Sequence, residues 1–251
     1  MHGKGLDGMA EICVLCLGDW LERDVSPYLP YASAERREHV ARFRHASDKS
    51  RSLWAELFLR WRIARATGTA PSAVEIGHDE RGKPVVWKGG AFSVSLSHSG
   101  GYVAIAVGHE AVGVDVEKAR KAPLAVADRW FCPEEKESLR RVSEPERARV
   151  FFRFWTLKEA ALKYTGEGLS GGLETVDCPA LSEAARAGAD GALAGRNFAL
   201  ADGAIVGVVA HRKDLPESAR LFTLTVARTG IYGDADFAES EALLPMETIT
   251  I

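Results

Sequence analysis

No run of about 18 apolar residues occurs in the chain, so no membrane-spanning helix is expected. Cysteine is scarce, with four in 251 residues, too few for a disulfide framework. Cys13 and Cys16 match C-x-x-C, but in a strand positions i and i+3 face opposite sides. No second C-x-x-C follows, so neither a zinc site nor a redox pair is expected, and Cys132 and Cys178 stand alone. Residues 1–8 lack the apolar core of a secretory signal, and the expected location is cytoplasmic. Net charge is only -3, which gives no case for bulk nucleic-acid or membrane-surface binding. The chain has no G-x-x-x-x-G-K-[ST], so it is not a P-loop protein, and no G-x-S-x-G accompanies Ser97-His98. Gly166 to Gly171 formally matches G-x-G-x-x-G, but the match leaves a helix instead of a strand, and the dinucleotide reading is rejected.

What is present is the make-up of a folded domain: 46% hydrophobic and 27% charged residues, enough for one large domain or two small ones. Ile12 to Leu17 has strand length. Ser33 is placed to cap a short helix over Ala34 to Phe43, and a longer helix is expected from Asp48 to Ala66, ended by Gly68 and Pro71. Arg81-Gly82-Lys83-Pro84 reads as a turn. Phe92 to Ser97 and Tyr102 to Val107 read as a hairpin turned by His98-Ser99-Gly100-Gly101. Two short helices are expected between Leu124 and Val142, and a long one from near Glu146 to Gly166. Residues 181–195 read as a variable loop, and strands follow at Asn197 to Leu200, Ala204 to Ala210 and Leu221 to Ala227. The segment 229–251 has weak periodicity and is left unplaced, and no internal repeat is visible.

The chemistry concentrates between Val112 and Gly168. Val112-Gly113-Val114-Asp115-Val116-Glu117 alternates as a strand, so Asp115 and Glu117 share a face. Two adjacent carboxylates repel unless a cation or proton lies between them. Phe154 to Lys163 reads as a helix on which Glu159 and Lys163 stand one turn apart. Three acids without histidine suit magnesium better than zinc, and magnesium held by few carboxylates completes its shell with water and substrate phosphate. The residues alone thus point to a magnesium-dependent enzyme acting on a phosphate compound. Arg36, Arg37, Arg42, Arg44, Lys49 and Arg51 form a basic region that reads either as a solvated face or as a phosphate-binding patch.

The pairing of the D-x-E strand with a later W-x-x-K-E-x-x-x-K helix resembles the Sfp-type 4'-phosphopantetheinyl transferases. The resemblance runs over residues 36–172 in ordered blocks: Arg51-Ser52-Leu53, Gly82-Lys83-Pro84, Leu96-Ser97-His98-Ser99, Gly113 to Glu117, and Phe154 to Lys163 followed by Gly166-Glu167-Gly168-Leu169. It implies an α+β fold of two similar subdomains about a pseudo-two-fold axis, here 1–111 and 112–230, with the site at their junction. It implies transfer of the phosphopantetheine arm of coenzyme A to a carrier-protein serine, with release of 3',5'-ADP. By the same resemblance Asp115, Glu117 and Glu159 ligate Mg2+, Glu159 also serves as base, and Lys163 contacts the pyrophosphate. Arg36, Arg51, Gly82, Lys83, Pro84, Ser97 and His98 surround the nucleotide; Arg36 and His39 stand where relatives often carry lysine. The partner is an acidic acyl or peptidyl carrier docking near Lys118–Phe131, and the two-halves-in-one-chain family suggests a monomer. The competing readings are another magnesium enzyme that cleaves pyrophosphate, and an inactive homologue that only binds carriers.

Overall fold

The computed structural model describes residues 8–166, 168, 172–187, 191–226, 230–243 and 245–246. Within them the polypeptide is mixed α+β, built on a seven-stranded and a three-stranded sheet. Residues 167 and 169–171 of the glycine-rich match, and 188–190 of the expected loop, lie outside the described residues.

Strand alternation sets the layers. Strand β1 (Glu11–Cys16) is buried on both faces. Cys13 and Leu15 join the core under helix α2 (Ala46–Thr67), whereas Ile12 and Val14 face a second core shared with the small sheet. That second core takes Val112, Val114 and Val116 of β6 (Val112–Glu117) and Val206 and Val208 of β8 (Ile205–His211). The other face of β6 and β8 carries helix α5 (Glu144–Thr165). Two glycines allow that contact. A Cβ on Gly113 would lie 1.9 Å from the Ala160 carbonyl oxygen, and one on Gly207 would lie 2.6 Å from the Thr156 backbone. Both 22-residue helices end on a left-handed glycine, Gly68 (φ 69°) and Gly166 (φ 74°), each a position where a side chain is strained.

The large sheet runs β10-β9-β1-β5-β4-β3-β2 and the small one β6-β8-β7. In the large sheet β2 is Glu75–His78, β3 Pro84–Lys88, β4 Ser93–Ser99, β5 Tyr102–Gly108, β9 Ala219–Val226 and β10 Ala235–Leu243. In the small sheet β7 is Leu193–Ala199. The small sheet begins with β6 at Val112, but β9, within the stretch 112–230, joins the large sheet. Strand β9 pairs in parallel with β1, and β10, from the segment left unplaced, pairs with β9. Packing accounts for this: Phe222 and Phe237 complete the aromatic surface of α2 beside Phe58 and Trp61.

Three local expectations need correction. His98 and Ser99 belong to β4 and pair with Val103 and Tyr102, so the turn is two glycines long, with Gly100 at φ 56°. The alanine-rich stretch taken as a loop contains helix α6 (Cys178–Ala187), which buries Cys178, Leu181 and Ala185 at helical spacing, and β7 begins at Leu193. The helix carrying Glu159 starts at Glu144, two residues before the expected point, with Pro145 in its first turn. The helix α1 (Ala34–Arg42) is capped by Ser33, whose hydroxyl accepts from the Arg36 amide at 3.1 Å. Two further short helices, α3 (Leu124–Trp130) and α4 (Pro133–Arg141), connect β6 to α5.

Candidate active site at the junction of the two sheets

Strand β6 is the edge of the small sheet and lies against β4. Because Gly113 turns toward α5, Asp115 and Glu117 share the helix-facing side. Glu159 and Lys163, one turn apart on α5, stand on the adjoining surface. Lys163 Nζ donates to Asp115 Oδ1 at 2.6 Å, and Ser97 Oγ donates to the same oxygen at 2.6 Å. Asp115 Oδ2 is buried with no hydrogen-bond partner among the described residues. Glu117 Oε2 accepts from Ser99 Oγ at 2.7 Å and from Arg120 at 3.1 Å. Burial, then the charge of Asp115, pushes the Glu159 carboxyl above the ordinary glutamate value; Glu117 adds to this and Lys163 opposes it.

The expected convergence of three acids is only partly realised. Among the described residues no group of three or more His, Cys, Asp or Glu stands in metal-holding geometry. With no ion present, Asp115 bonds Ser97 and Lys163, and Glu117 bonds Ser99 and Arg120. The donors present nonetheless fit a hard divalent cation. A buried carboxylate oxygen without a partner, beside a second carboxyl destabilised by like charge, is the setting that such an ion relieves.

A cavity of about 590 Å³ opens beside these groups. One wall comes from α5 and its end: Glu159, Leu162, Lys163 and Gly166. The opposite wall comes from α1 (Arg36, His39), the turn Arg81–Pro84, and Ile76 and Leu96. The turn is built by Asp79, whose carboxylate accepts from the amides of Arg81 and Lys83, with Gly82 at φ 80°. Lys83 reaches across the junction and donates to the Tyr164 carbonyl at 3.0 Å; burial lowers its pKa. Arg36 is oriented by Glu56, whose Oε2 lies 3.2 Å from its Nε, and by Ser52, which accepts from Nη1 at 3.0 Å. The remaining N–H groups of a guanidinium stay available for an anion in the cavity.

The expected site residues thus separate into groups. Arg36, His39, Gly82, Lys83, Pro84, Glu159 and Lys163 line the cavity. Asp115 and Glu117 are not among its lining residues; Asp115 is joined to it through Lys163. Ser97 is buried and its hydroxyl is committed to Asp115. Arg51 and His98 are not among the cavity-lining residues. Arg51 pairs with Asp48 and donates to the Gly100 carbonyl. His98 has an exposed side chain, yet desolvation by its crowded neighbourhood and then the charge of Arg51 lower its pKa, with Lys163 and Arg36 adding to that field. Two contributions were not anticipated. Glu56 is a buried acid in an otherwise apolar helical run, and that isolation was its signal. Ser95 and Ser99 flank Ser97 at two-residue spacing, which marks one face of a strand.

Comparisons with known proteins identify a family. Residues 111–198 match the family model described as "4'-phosphopantetheinyl transferase superfamily", and residues 22–110 match "4'-phosphopantetheinyl transferase, N-terminal". The chain is 33% identical over 138 residues to a 4'-phosphopantetheinyl transferase of Bacillus subtilis, covering 55% of this chain and 62% of that protein. It is 33% identical over 153 residues to a relative in Bacillus pumilus, covering 61% and 66%. With the 4'-phosphopantetheinyl transferase Sfp of Bacillus subtilis strain 168 it shares 30% identity over 158 residues, covering 61% and 70%. The match therefore spans just under two thirds of the first two relatives and somewhat more of the third.

Proposed function

The chain belongs to the Sfp-type 4'-phosphopantetheinyl transferase family, and from that premise we propose that it moves the phosphopantetheine arm of coenzyme A onto a serine of an apo carrier protein. The carrier serine oxygen forms a bond to the phosphorus that bears the pantetheine arm. The pyrophosphate P–O bond breaks, and 3',5'-ADP leaves. The observation that carries this reading is the junction cavity, with a cation-bearing wall from α1 and the Gly82 turn opposite an acid–lysine pair on α5.

Asp115, Glu117 and Glu159 are the residues that would hold Mg2+. When bound, this ion supplies Lewis-acid charge neutralisation to pyrophosphate oxygens. Glu159 accepts the serine proton, directly or through water. Its burial and the neighbouring acids favour proton uptake, while Lys163 opposes it. Lys163 stands on the cavity wall with one bond to Asp115 and ammonium donors to spare, so it can meet the leaving phosphate. Arg36, fixed by Glu56, presents a guanidinium fork to phosphate. Lys83 and Pro84 border the nucleotide. Arg51 and His98 sit at its 3'-phosphate, outside the main cavity.

The carrier docks at Lys118–Phe131 and the adjoining α3–α4 surface. A cleft of about 290 Å³ there is lined by the apolar Leu124, Ala127 and Leu139, the cations Lys136, Arg140 and Arg147, and one acid, Asp128. An acidic amphipathic helix matches that combination. Among the described residues no helix is long and apolar enough to cross a membrane. A single chain supplies both walls of the cavity, and the active unit we infer is a cytoplasmic monomer.

The test is intact-protein mass spectrometry of an apo acyl carrier protein incubated with this protein, coenzyme A and Mg2+. A mass gain of one phosphopantetheine arm, lost with EDTA and with Glu159→Ala, is expected. Absence of any gain across a panel of acyl, peptidyl and aryl carriers refutes the reading.

A further inference from the structure

We propose that Ser97 and Ser99 are positioning residues that aim the carboxylates of Asp115 and Glu117. The inference rests on the magnesium reading above. Strand β4 alternates, so Ser95, Ser97 and Ser99 line one face while Val94 and Leu96 face the α2 core. The serine face meets β6, an edge strand whose outward groups have no partner strand among the described residues. Side chains supply what a strand would. Ser95 Oγ accepts from the Val114 amide at 3.1 Å, and Ser99 Oγ from the Lys118 amide at 3.2 Å.

The two lower rungs of this ladder do more than join the sheets. A hydroxyl has one proton to donate. Ser97 donates its own to Asp115 Oδ1 at 2.6 Å, and Ser99 to Glu117 Oε2 at 2.7 Å. In each carboxylate a cation takes the same oxygen, Lys163 on Asp115 Oδ1 and Arg120 on Glu117 Oε2. The terminal torsion of a carboxylate is broad and nearly two-fold, so fixing one oxygen fixes where the other points. On Asp115 that other oxygen is the buried Oδ2, which has no partner among the described residues. Groups that orient metal ligands in this way typically change metal affinity about 10–100-fold when removed.

Ser95 provides the internal control, because its hydroxyl bonds the backbone of β6 and, among the described residues, no carboxylate. Mn2+ is titrated into the full chain by electron paramagnetic resonance, with and without coenzyme A, and thermal unfolding is followed in EDTA. Ser97→Ala and Ser99→Ala are expected to weaken Mn2+ binding about 10–100-fold. Ser99→Thr, which keeps the hydroxyl at a half-buried position, is expected to restore it. Ser95→Ala is expected to lower the unfolding temperature while leaving Mn2+ affinity at the wild-type value. Wild-type affinity in both alanine variants, with binding lost in Asp115→Asn, overturns the positioning role and leaves the metal reading standing. Equal binding by wild type and Asp115→Asn, or none by wild type, overturns the metal reading itself. Should Ser97→Ala fail to fold, the Ser99 pair of variants decides the matter alone.

Discussion

Lys158 precedes Glu159 on α5 and is fully buried, as is its partner Glu135. Its three ammonium donors are all used: Glu135 Oε2 at 2.9 Å, the Leu173 carbonyl at 2.9 Å and the Val176 carbonyl at 2.7 Å. Glu135 in turn accepts from the amides of Cys132 and Cys178. One ion pair therefore ties α5, the start of α4, residues 173–176 and the start of α6 together. Lys158→Met keeps the side-chain volume and removes the charge and all three donors. An uncompensated buried carboxylate costs about 3–5 kcal/mol, and each abandoned carbonyl adds to that unless water enters. A loss of about 3–5 kcal/mol is expected in total, or a drop of roughly 6–20 °C in Tm for a chain of this size. Urea unfolding monitored by circular dichroism measures it. The double variant Lys158→Met/Glu135→Leu removes both charges and should recover part of the loss, since apolar replacement of a whole buried pair is often tolerated. A loss under about 1 kcal/mol for Lys158→Met, or a double variant no better than the single, refutes the reasoning.

Further outcomes follow from other contacts. Gly113→Ala places a methyl against the Ala160 carbonyl and should cost about 1–3 kcal/mol or prevent folding; an unchanged urea midpoint contradicts the close approach of β6 and α5. Glu159 titrates above its ordinary value in the folded state, so the metal-free protein loses stability as pH rises from that value through the raised one. In EDTA, Glu159→Gln should therefore unfold at higher urea than wild type at neutral pH, with the gap closing below pH about 4; a pH-independent gap rejects this. Arg51→Ala should raise the Kd for coenzyme A more than it lowers turnover at saturation, and unchanged affinity by calorimetry removes Arg51 from the nucleotide site. The KM for carrier protein should rise with NaCl if Lys136, Arg140 and Arg147 steer docking, and a salt-independent KM counts against that surface.

Local signals made much of this legible. Ser33 as cap, Gly68 and Gly166 as stops, and the apolar spacing in α2 and α5 mark helices whose ends are chemically encoded. Asp115, Glu117, Glu159 and Lys163 stood out because charge interrupts otherwise apolar elements. What stayed hidden depends on partners distant in the chain. Nothing local to Ala219–Val226 announces a parallel pairing with β1, which lies more than two hundred residues earlier. The donor role of Ser97 depends on which strand its face meets, a matter of sheet packing. Helix α6 escaped notice because alanine and glycine together resemble a loop, although alanine alone favours helix.

The parallel pairing of β1 with β9 also bears on how the chain acquires its structure. During synthesis residues 1–111 emerge with only one flank of β1 paired, to β5. The aromatic surface of α2 then waits for Phe222 and Phe237. An open strand edge beside an uncovered aromatic surface is an aggregation hazard until the last strands arrive. Such long-range closure raises contact order and slows folding. The first half of this chain is therefore expected to be a poor independent folding unit, and a fragment ending near residue 111 should be less soluble than one that retains β9 and β10.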